Sequence, residues 1–293
     1  MAPKYTIIAI TTRYWRPREN YLQQIIDSIK YTVEEDDFVT ISEKAISTAL
    51  GNLIDENEIK SGWLAHFLAE YWMRLFWGYI LGPLCHLKQK TIQHFKAYPI
   101  DEGSAHKQVV LQYAGFLQAL MPWSEGGIDG SNLPYSYVSL PLKNAQHIAQ
   151  RIHDYIKAKL RKNVAVMIVD TDKTYSLRNF HFTPRPKPIK RIYSFGGVIT
   201  YIIGRFFKLK RRATPIAVTN PKMHVEEALE IAEIANRSRG FGAGRTVWDM
   251  ADTFKVALTD VTWDMLDKVE HKPIVIVKPS HLKRKKRVHL LAI

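Results

Sequence analysis

Three short segments of the 293-residue chain carry residue types and spacings that could do chemistry. Gly126-Gly127-Ile128-Asp129-Gly130-Ser131-Asn132 packs three glycines around one carboxylate and one carboxamide. Glycines let backbone approach a ligand closely, although the same composition also makes an Asx-turn in a surface loop. Asp170-Thr171-Asp172 sets two carboxylates and a hydroxyl directly behind the apolar run Val164–Val169. Such a group can ligate a hard cation or simply cap the next element. Hard divalent cations need several oxygen ligands and retain phosphate oxygens, so two acid-bearing loops at one sheet edge suggest a metal–nucleotide site. Gly240-Phe241-Gly242-Ala243-Gly244-Arg245 could offer N–H groups and a guanidinium to a nucleotide, or serve only as a helix terminator. It follows a helical pattern instead of joining strand to helix, which removes the Rossmann and Walker readings. His106 and His181 read as satisfied structural histidines.

The elements that must position these residues follow from periodicity. Tyr5–Ile10 and Phe38–Ile41 are strand patterns, with a small-residue turn or helix start over Ser42 to Gly51. Tyr21–Lys30 has apolar residues at helical spacing, and 61–120 reads as mostly helical, broken at Gly82-Pro83 and around Pro99. Asn144 is placed to cap a helix whose apolar stripe runs from Ala145 to Leu160, feeding a buried strand over Val164–Val169. Asp170 and Thr171 then fall at the carboxyl end of that strand, the rim where α/β sheets bind ligands. Thr219 or Asn220 with Pro221 opens a helix over Met223–Arg239 that stops at Gly240, and Ile274–Val277 is a final strand. The expected class is mixed α/β.

Composition narrows the function classes. Hydrophobic residues at 46% and aromatics at 11% describe a chain that buries surface, which excludes disordered and collagen-like classes. The single Cys85 supports neither an internal disulfide nor a cysteine-rich zinc site, and it suits a reducing cytoplasm. Lys and Arg total 42 against 28 Asp and Glu, a net charge of +14. Nine of the cations lie in 185–212, which has no acid, and six more lie in 278–289. The rest of the chain is nearly neutral, so the basicity is a local device for an anionic partner such as polyphosphate, polycarboxylate, nucleic acid or lipid headgroups. The amino terminus has no signal-peptide pattern. In the apolar stretch 63–85, His66, Glu70 and Arg74 recur on one helical stripe, so it reads as an amphipathic, largely buried helix and not a membrane span. Phe195 to Phe207 is too short to span; a peripheral membrane contact by these stretches beside a basic run stays open.

Taken in order, Asp36 to Gly51, then Gly127-Ile128-Asp129-Gly130-Ser131-Asn132, then Val166-Met167-Ile168-Val169-Asp170-Thr171 give the chain a family likeness over most of residues 5–277. It resembles the gamma-glutamyl ligases that extend the deazaflavin coenzyme F-420. The resemblance implies a mixed α/β (α+β) homodimer. It also implies GTP as co-substrate, Mg2+ or Mn2+ as cofactor, and glutamate joined to a carboxylate of an anionic acceptor through an acyl phosphate. By the same resemblance Asp129, Asp170 and Thr171 would ligate the metal, and Lys44 would be catalytic, facing phosphate oxygens. Thr12, Arg13, Tyr14, Trp15, Glu43, Lys44, Asn132, Gly240, Gly242 and Gly244 would contact the nucleotide. The ligase-like region is 1–277, with a helical insertion at 61–120, a basic segment at 185–212 that would hold the acceptor, and a basic tail at 278–293. Thr48, Asp172-Lys173 and Gly240-Phe241 depart from the family pattern, which marks a divergent paralogue. The alternative is a paralogue without catalysis that binds nucleic acid or another polyanion through the basic segments.

Overall fold

The structure is a computed structural model describing residues 4–123 and 125–280. Its strands are β1 (Tyr5–Thr12), β2 (Phe38–Ser42), β3 (Leu53–Asp55), β4 (Tyr137–Ser139), β5 (Ala165–Leu177), β6 (Phe180–Thr183), β7 (Tyr193–Ser194), β8 (Lys210–Val218) and β9 (His271–Pro279). The helices ahead of the acid-bearing loop are α1 (Tyr21–Ile29), α2 (Glu43–Ala49), α3 (Trp63–Phe67), α4 (Gly82–Leu84), α5 (Gln89–Lys96), α6 (Asp101–Tyr113) and α7 (Phe116–Ala119). Beyond it come α8 (Ala145–Leu160), α9 (Val198–Phe206), α10 (Val225–Arg239), α11 (Val247–Phe254) and α12 (Trp263–Leu266). The class is mixed α/β, as the residue patterns predict.

The main sheet runs β1-β9-β2-β5-β6-β7, with β8 also on β5, and β3 pairs separately with β4. Alternation along the central strands sorts the core into two layers. Val166 and Ile168 join Ile274 and Ile276 under α1 and α8, whereas Met167 and Val169 join Val275 and Val277 under α10. This two-sided burial explains why β5 begins as an unbroken apolar run.

β5 does not stop at Val169. Its parallel pairing with β2 ends at Ser42–Val169, but the strand continues to Leu177, its ladder with β8 shifting register between Asp170 and Lys173. The continuation is polar in sequence yet largely buried over 172–176, where Thr174 and Thr183 both meet the Thr214 hydroxyl. β8 pairs with both halves of β5, so β2 and β6 must share the opposite edge in succession. Asp170 through Thr174 face the interval between them.

Two expected caps also move. His224, not Thr219 or Asn220, caps α10 through the Glu226 N–H, and the Asn144 side chain makes no capping bond to α8. The stretch Leu68–Leu81 is wound more widely than an α-helix, and the Gly82 N–H reaches back to the Trp77 carbonyl. It buries Met73 and Trp77 but leaves Tyr71, Leu75, Tyr79 and Ile80 exposed, so it is less buried than its sequence suggests. Arg74 donates to the Tyr98 carbonyl at 2.8 and 2.6 Å. Among the described residues no helix is long and apolar enough to cross a membrane.

The helical segment is pinned by a polar cluster. His106 Nδ1 meets Glu56 at 2.7 Å, its Nε2 meets Glu125, and the fully buried Lys107 pairs with Glu125 and the Met121 carbonyl. Burial alone would strip the imidazole of its proton, but Glu125 and Glu56 outweigh it and hold its pKa well above the usual value. His106 is thus structural, as its sequence context suggests.

α9 approaches β5 so closely that a Cβ on Gly204 would lie 2.2 Å from the Tyr175 ring. Gly204→Ala is expected to destabilise the fold by about 1–3 kcal/mol through overpacking, read from the midpoint of a urea transition. An unchanged midpoint would contradict this packing.

Candidate active site

A cleft of about 1680 Å³ takes in Lys44, Asp129, Asn132, Thr171, Gly242 and Arg245. Ser42 and Thr171, at and just past the last parallel pair of β2 and β5, also line it. The far wall belongs to the helical segment and α9, including Glu56, His106, Trp123, Tyr201 and Arg205.

Lys44 projects from the first turn of α2 and is held by three acceptors: Asp129 Oδ2 at 2.6 Å, the Ser131 carbonyl at 2.7 Å and the Ser131 hydroxyl at 2.8 Å. Asp129 also accepts from the Ser131 N–H at 2.7 Å, an Asx-turn, and its backbone bridges to Ser139 in β4. The aspartate loop thus makes the turn its composition allows and also faces the cleft.

Asn132, in left-handed backbone conformation at φ 57°, clamps the glycine-rich segment. Its Oδ1 accepts from the Ala243 N–H at 2.7 Å and the Tyr14 hydroxyl at 3.2 Å, and its Nδ2 donates to the Gly244 and Phe241 carbonyls. A Cβ on Gly242 would fall 2.4 Å from Asn132 Oδ1, so this approach requires glycine. Arg245 stacks on the Phe241 ring at 3.8 Å, and Gly240 ends α10 as the sequence predicts. The Asn132 amide, expected on a nucleotide, thus fixes the loop.

The amino-terminal residues divide. Tyr14 is buried, stacked on His271 at 4.2 Å, and burial pushes its phenol up to about 12. Trp15 packs into the core beneath α1. Thr12 bonds the Arg13 carbonyl, while the exposed Arg13 pairs with Glu19 at 2.5 Å. Sequence reasoning gave no role to His271, which reaches the site only because β9 lies beside β1. It also missed Arg239, whose only sequence signal was its place in the last turn of α10. Arg239 makes no ion pair among the described residues, and burial pushes its pKa down to about 10.

Asp129 and Asp170, expected as metal ligands, are each paired with a cation of the chain. Asp170 Oδ2 is bonded by Arg185 Nε at 2.5 Å, and Arg185 Nη2 reaches Glu43 Oε1 at 2.6 Å. Glu43, expected beside the nucleotide, is buried and also accepts from the Leu142 N–H at 2.8 Å; burial raises its carboxyl pKa against the pull of Arg185. Thr171 is exposed and lines the cleft. Among the described residues no three His, Cys, Asp or Glu side chains gather as metal ligands, and both expected carboxylates are already paired with cations of the chain. The donor set therefore does not fit a metal caged by protein alone. Gly127 explains the glycines differently too: a Cβ there would lie 2.7 Å from the Arg185 guanidinium, so the close approach is to this side chain.

The basic segment is also partly internal. Of its nine cations, Arg185 is buried, Arg205 donates to the Cys85 and His86 carbonyls, and Arg212 and Lys210 pair with Glu226. Lys278 is tied to Glu34 and Asp37, and the tail cations Lys283, Arg284, Lys285, Lys286 and Arg287 lie outside the described residues.

The aspartate-bearing loop, the edge of β5 and the clamped glycine-rich loop line one large cleft. Residues 9–180 match the family model described as F420-0:Gamma-glutamyl ligase, and the chain belongs to that family. At the level of the family it is an amide-forming ligase, one that makes carbon–nitrogen bonds. It is also 36% identical over 282 residues to an uncharacterized protein of Methanocaldococcus jannaschii, covering 92% of this chain and 94% of that one. Arg185, the glycine-rich loop and β9 lie beyond the span that the family model matches.

Two outcomes follow from this geometry. Asn132→Ala leaves the amide partners of 241–244 unsatisfied and is expected to cost about 2 kcal/mol, with faster hydrogen exchange confined to that loop. Uniform exchange in both proteins would refute the clamp. His271, half-buried and near Arg239 and Lys44, has its pKa pushed by desolvation and these cations from 6.5 down to about 4. Its contribution is complete above pH 6.5 and is lost as pH falls toward 4, because the unfolded chain binds the proton first. The stability gap between wild type and His271→Phe, measured by thermal melting, should therefore shrink across that interval; a constant gap would contradict it.

Proposed function

We propose that the chain is a GTP-dependent ligase that joins an amino acid, most simply glutamate, to a carboxylate of an anionic acceptor like coenzyme F-420. The observation that carries the proposal is Lys44, an ammonium held at the cleft by Asp129 and Ser131 and sharing that cleft with the clamped loop 240–245. The cleft exceeds the range of roughly 300–1000 Å³ that suits one small ligand, which supports a site for nucleotide and acceptor together.

An amine cannot displace oxide from a carboxylate, so the acceptor oxygen first attacks the γ-phosphorus and the bond to the β-phosphate oxygen breaks. Acyl phosphate and nucleoside diphosphate result. Lys44 would exchange Asp129 for the transferring phosphoryl oxygens, a charge-assisted contact that strengthens as charge develops. The backbone of the glycine-rich loop and Arg245 would hold the remaining phosphates. The neutral amine of the amino acid then attacks the acyl carbon. The tetrahedral intermediate expels inorganic phosphate, and the amine proton leaves to solvent.

Calorimetry with GTP, ATP and their diphosphates, with and without Mg2+ or Mn2+, tests the reading. Lys44→Ala is expected to weaken triphosphate binding by roughly tenfold to a hundredfold, since a hydrogen bond to a charged group contributes about 1.5–3 kcal/mol. Equal affinities in wild type and variant would overturn the assignment of Lys44.

A further inference from the structure

Between Lys173 and Val225 the chain contains no acidic residue. This stretch builds the outer end of the sheet, β6 and β7, and the helix α9 that follows. α9 is apolar on both sides. Val198, Tyr201 and Gly204 face inward, but Ile199, Ile203 and Phe206 recur on the other side and are exposed, and Phe207 just after them is 64% exposed. Residues spaced by four and three share one helical face, so this is a continuous outward stripe.

The stripe does not stand alone. Leu177 and Phe180 at the β5–β6 hairpin are exposed, as is Tyr193 on β7, and the Phe180 and Tyr193 rings stack at 5.2 Å. Phe195, leading into α9, stacks on Phe182 at 5.7 Å and is also exposed. Exposed apolar side chains thus recur from the hairpin through Phe195, which leads into α9, to the end of that helix, more densely than the scattered ones normal on a soluble surface.

Cations frame it. Arg178 lies in the hairpin turn, Lys190 and Arg191 precede Tyr193, and Lys208 follows Phe207. All four are exposed, and none has an ion pair or side-chain hydrogen bond among the described residues. This distinguishes them from Arg185, Arg205, Lys210 and Arg212 of the same segment, which are engaged within the protein.

We infer that this face, α9 with the β6–β7 edge, docks on an anionic lipid surface, its apolar side chains entering the headgroup boundary and its four cations meeting lipid phosphates. An in-plane apolar helix beside unpaired basic residues is the form such contacts take. A second copy fits less well. A two-fold contact sets a patch against itself and would bring the same four cations face to face. Nucleic acid fits less well too, because the exposed rings share the face with aliphatic Leu177, Ile199 and Ile203 and the four cations lie around that apolar face instead of along a polar groove that could track a phosphate backbone. The inference does not depend on the ligase reading. Since Tyr201 and Arg205 of α9 also line the cleft, docking would bring the cleft wall to the membrane.

Vesicle flotation of the full chain tests it, using phosphatidylcholine alone and phosphatidylcholine mixed with phosphatidylglycerol. Wild type should float with the anionic vesicles only, and less as salt rises. Phe206→Ser with Phe207→Ser should reduce the partition roughly tenfold or more, and Lys190→Gln with Arg191→Gln similarly at low salt. The tail beyond residue 280 is identical in all three proteins, so variants that float like wild type would transfer the binding to that tail and overturn the inference. Equal flotation with neutral vesicles, or none with either, would also overturn it. So would a dimer in analytical ultracentrifugation that the Phe206 and Phe207 substitutions dissociate while no vesicle binds.

Discussion

The guanidinium of Arg185, set between Asp170 and Glu43, is the interaction on which the arrangement of the cleft depends. Three buried charges are expensive to desolvate, and they are tolerated only where geometry and hydrogen bonding are complete. Here they are: Nε and Nη2 address different carboxylates, Nη1 donates to the Pro186 carbonyl, and Glu43 takes a further bond from Leu142. A lysine could not do this, since a point charge lacks the planar fork that holds two carboxylates at fixed separation. The fork fills the interval on the edge of β5 that β2 and β6 leave open. It thereby fixes the start of α2, which carries Lys44, and the middle of β5, which carries Thr171. It also supports the loop of Asp129, where Gly127 lies against it. Losing one member would leave an uncompensated buried charge, a defect of about 3–5 kcal/mol felt by all of these segments together.

This dependence also accounts for what the amino-acid sequence did and did not make legible. β1, α1, α8 and the first half of β5 follow from local periodicity, because each buries a regular stripe or an unbroken run. Gly240 was readable as a terminator for the same local reason. Arg185 was not. Its partners lie 15 and 142 residues away, and nothing in a charge count separates an internal cation from a ligand-binding one. Asp170 likewise reads as a strand end, because the residues after it are polar; only the mutual bonding of Thr174, Thr214 and Thr183 allows a polar strand to stay buried.

The aspartate-bearing and glycine-rich loops show a related ambiguity. Composition identified both as places where backbone could come close to something, and in both the close neighbour is a side chain of the same protein. Gly127 admits Arg185, and Gly242 admits Asn132. Local sequence cannot specify which neighbour arrives, since that is set by how β2, β5 and α10 converge.

Internal use of these glycines and amides is compatible with ligand binding, and it makes binding more economical. A flexible loop that wraps phosphate must lose its conformational freedom when the ligand arrives. Asn132 has already removed that freedom from 241–244 by bonding two carbonyls and one N–H, and Tyr14, braced by His271, orients the Asn132 carboxamide. The N–H groups that the clamp leaves unused can then be presented in a fixed direction. A side chain that the family resemblance implies as a direct contact thus acts also through the backbone it holds, and the preorganised loop retains more of the interaction energy as affinity.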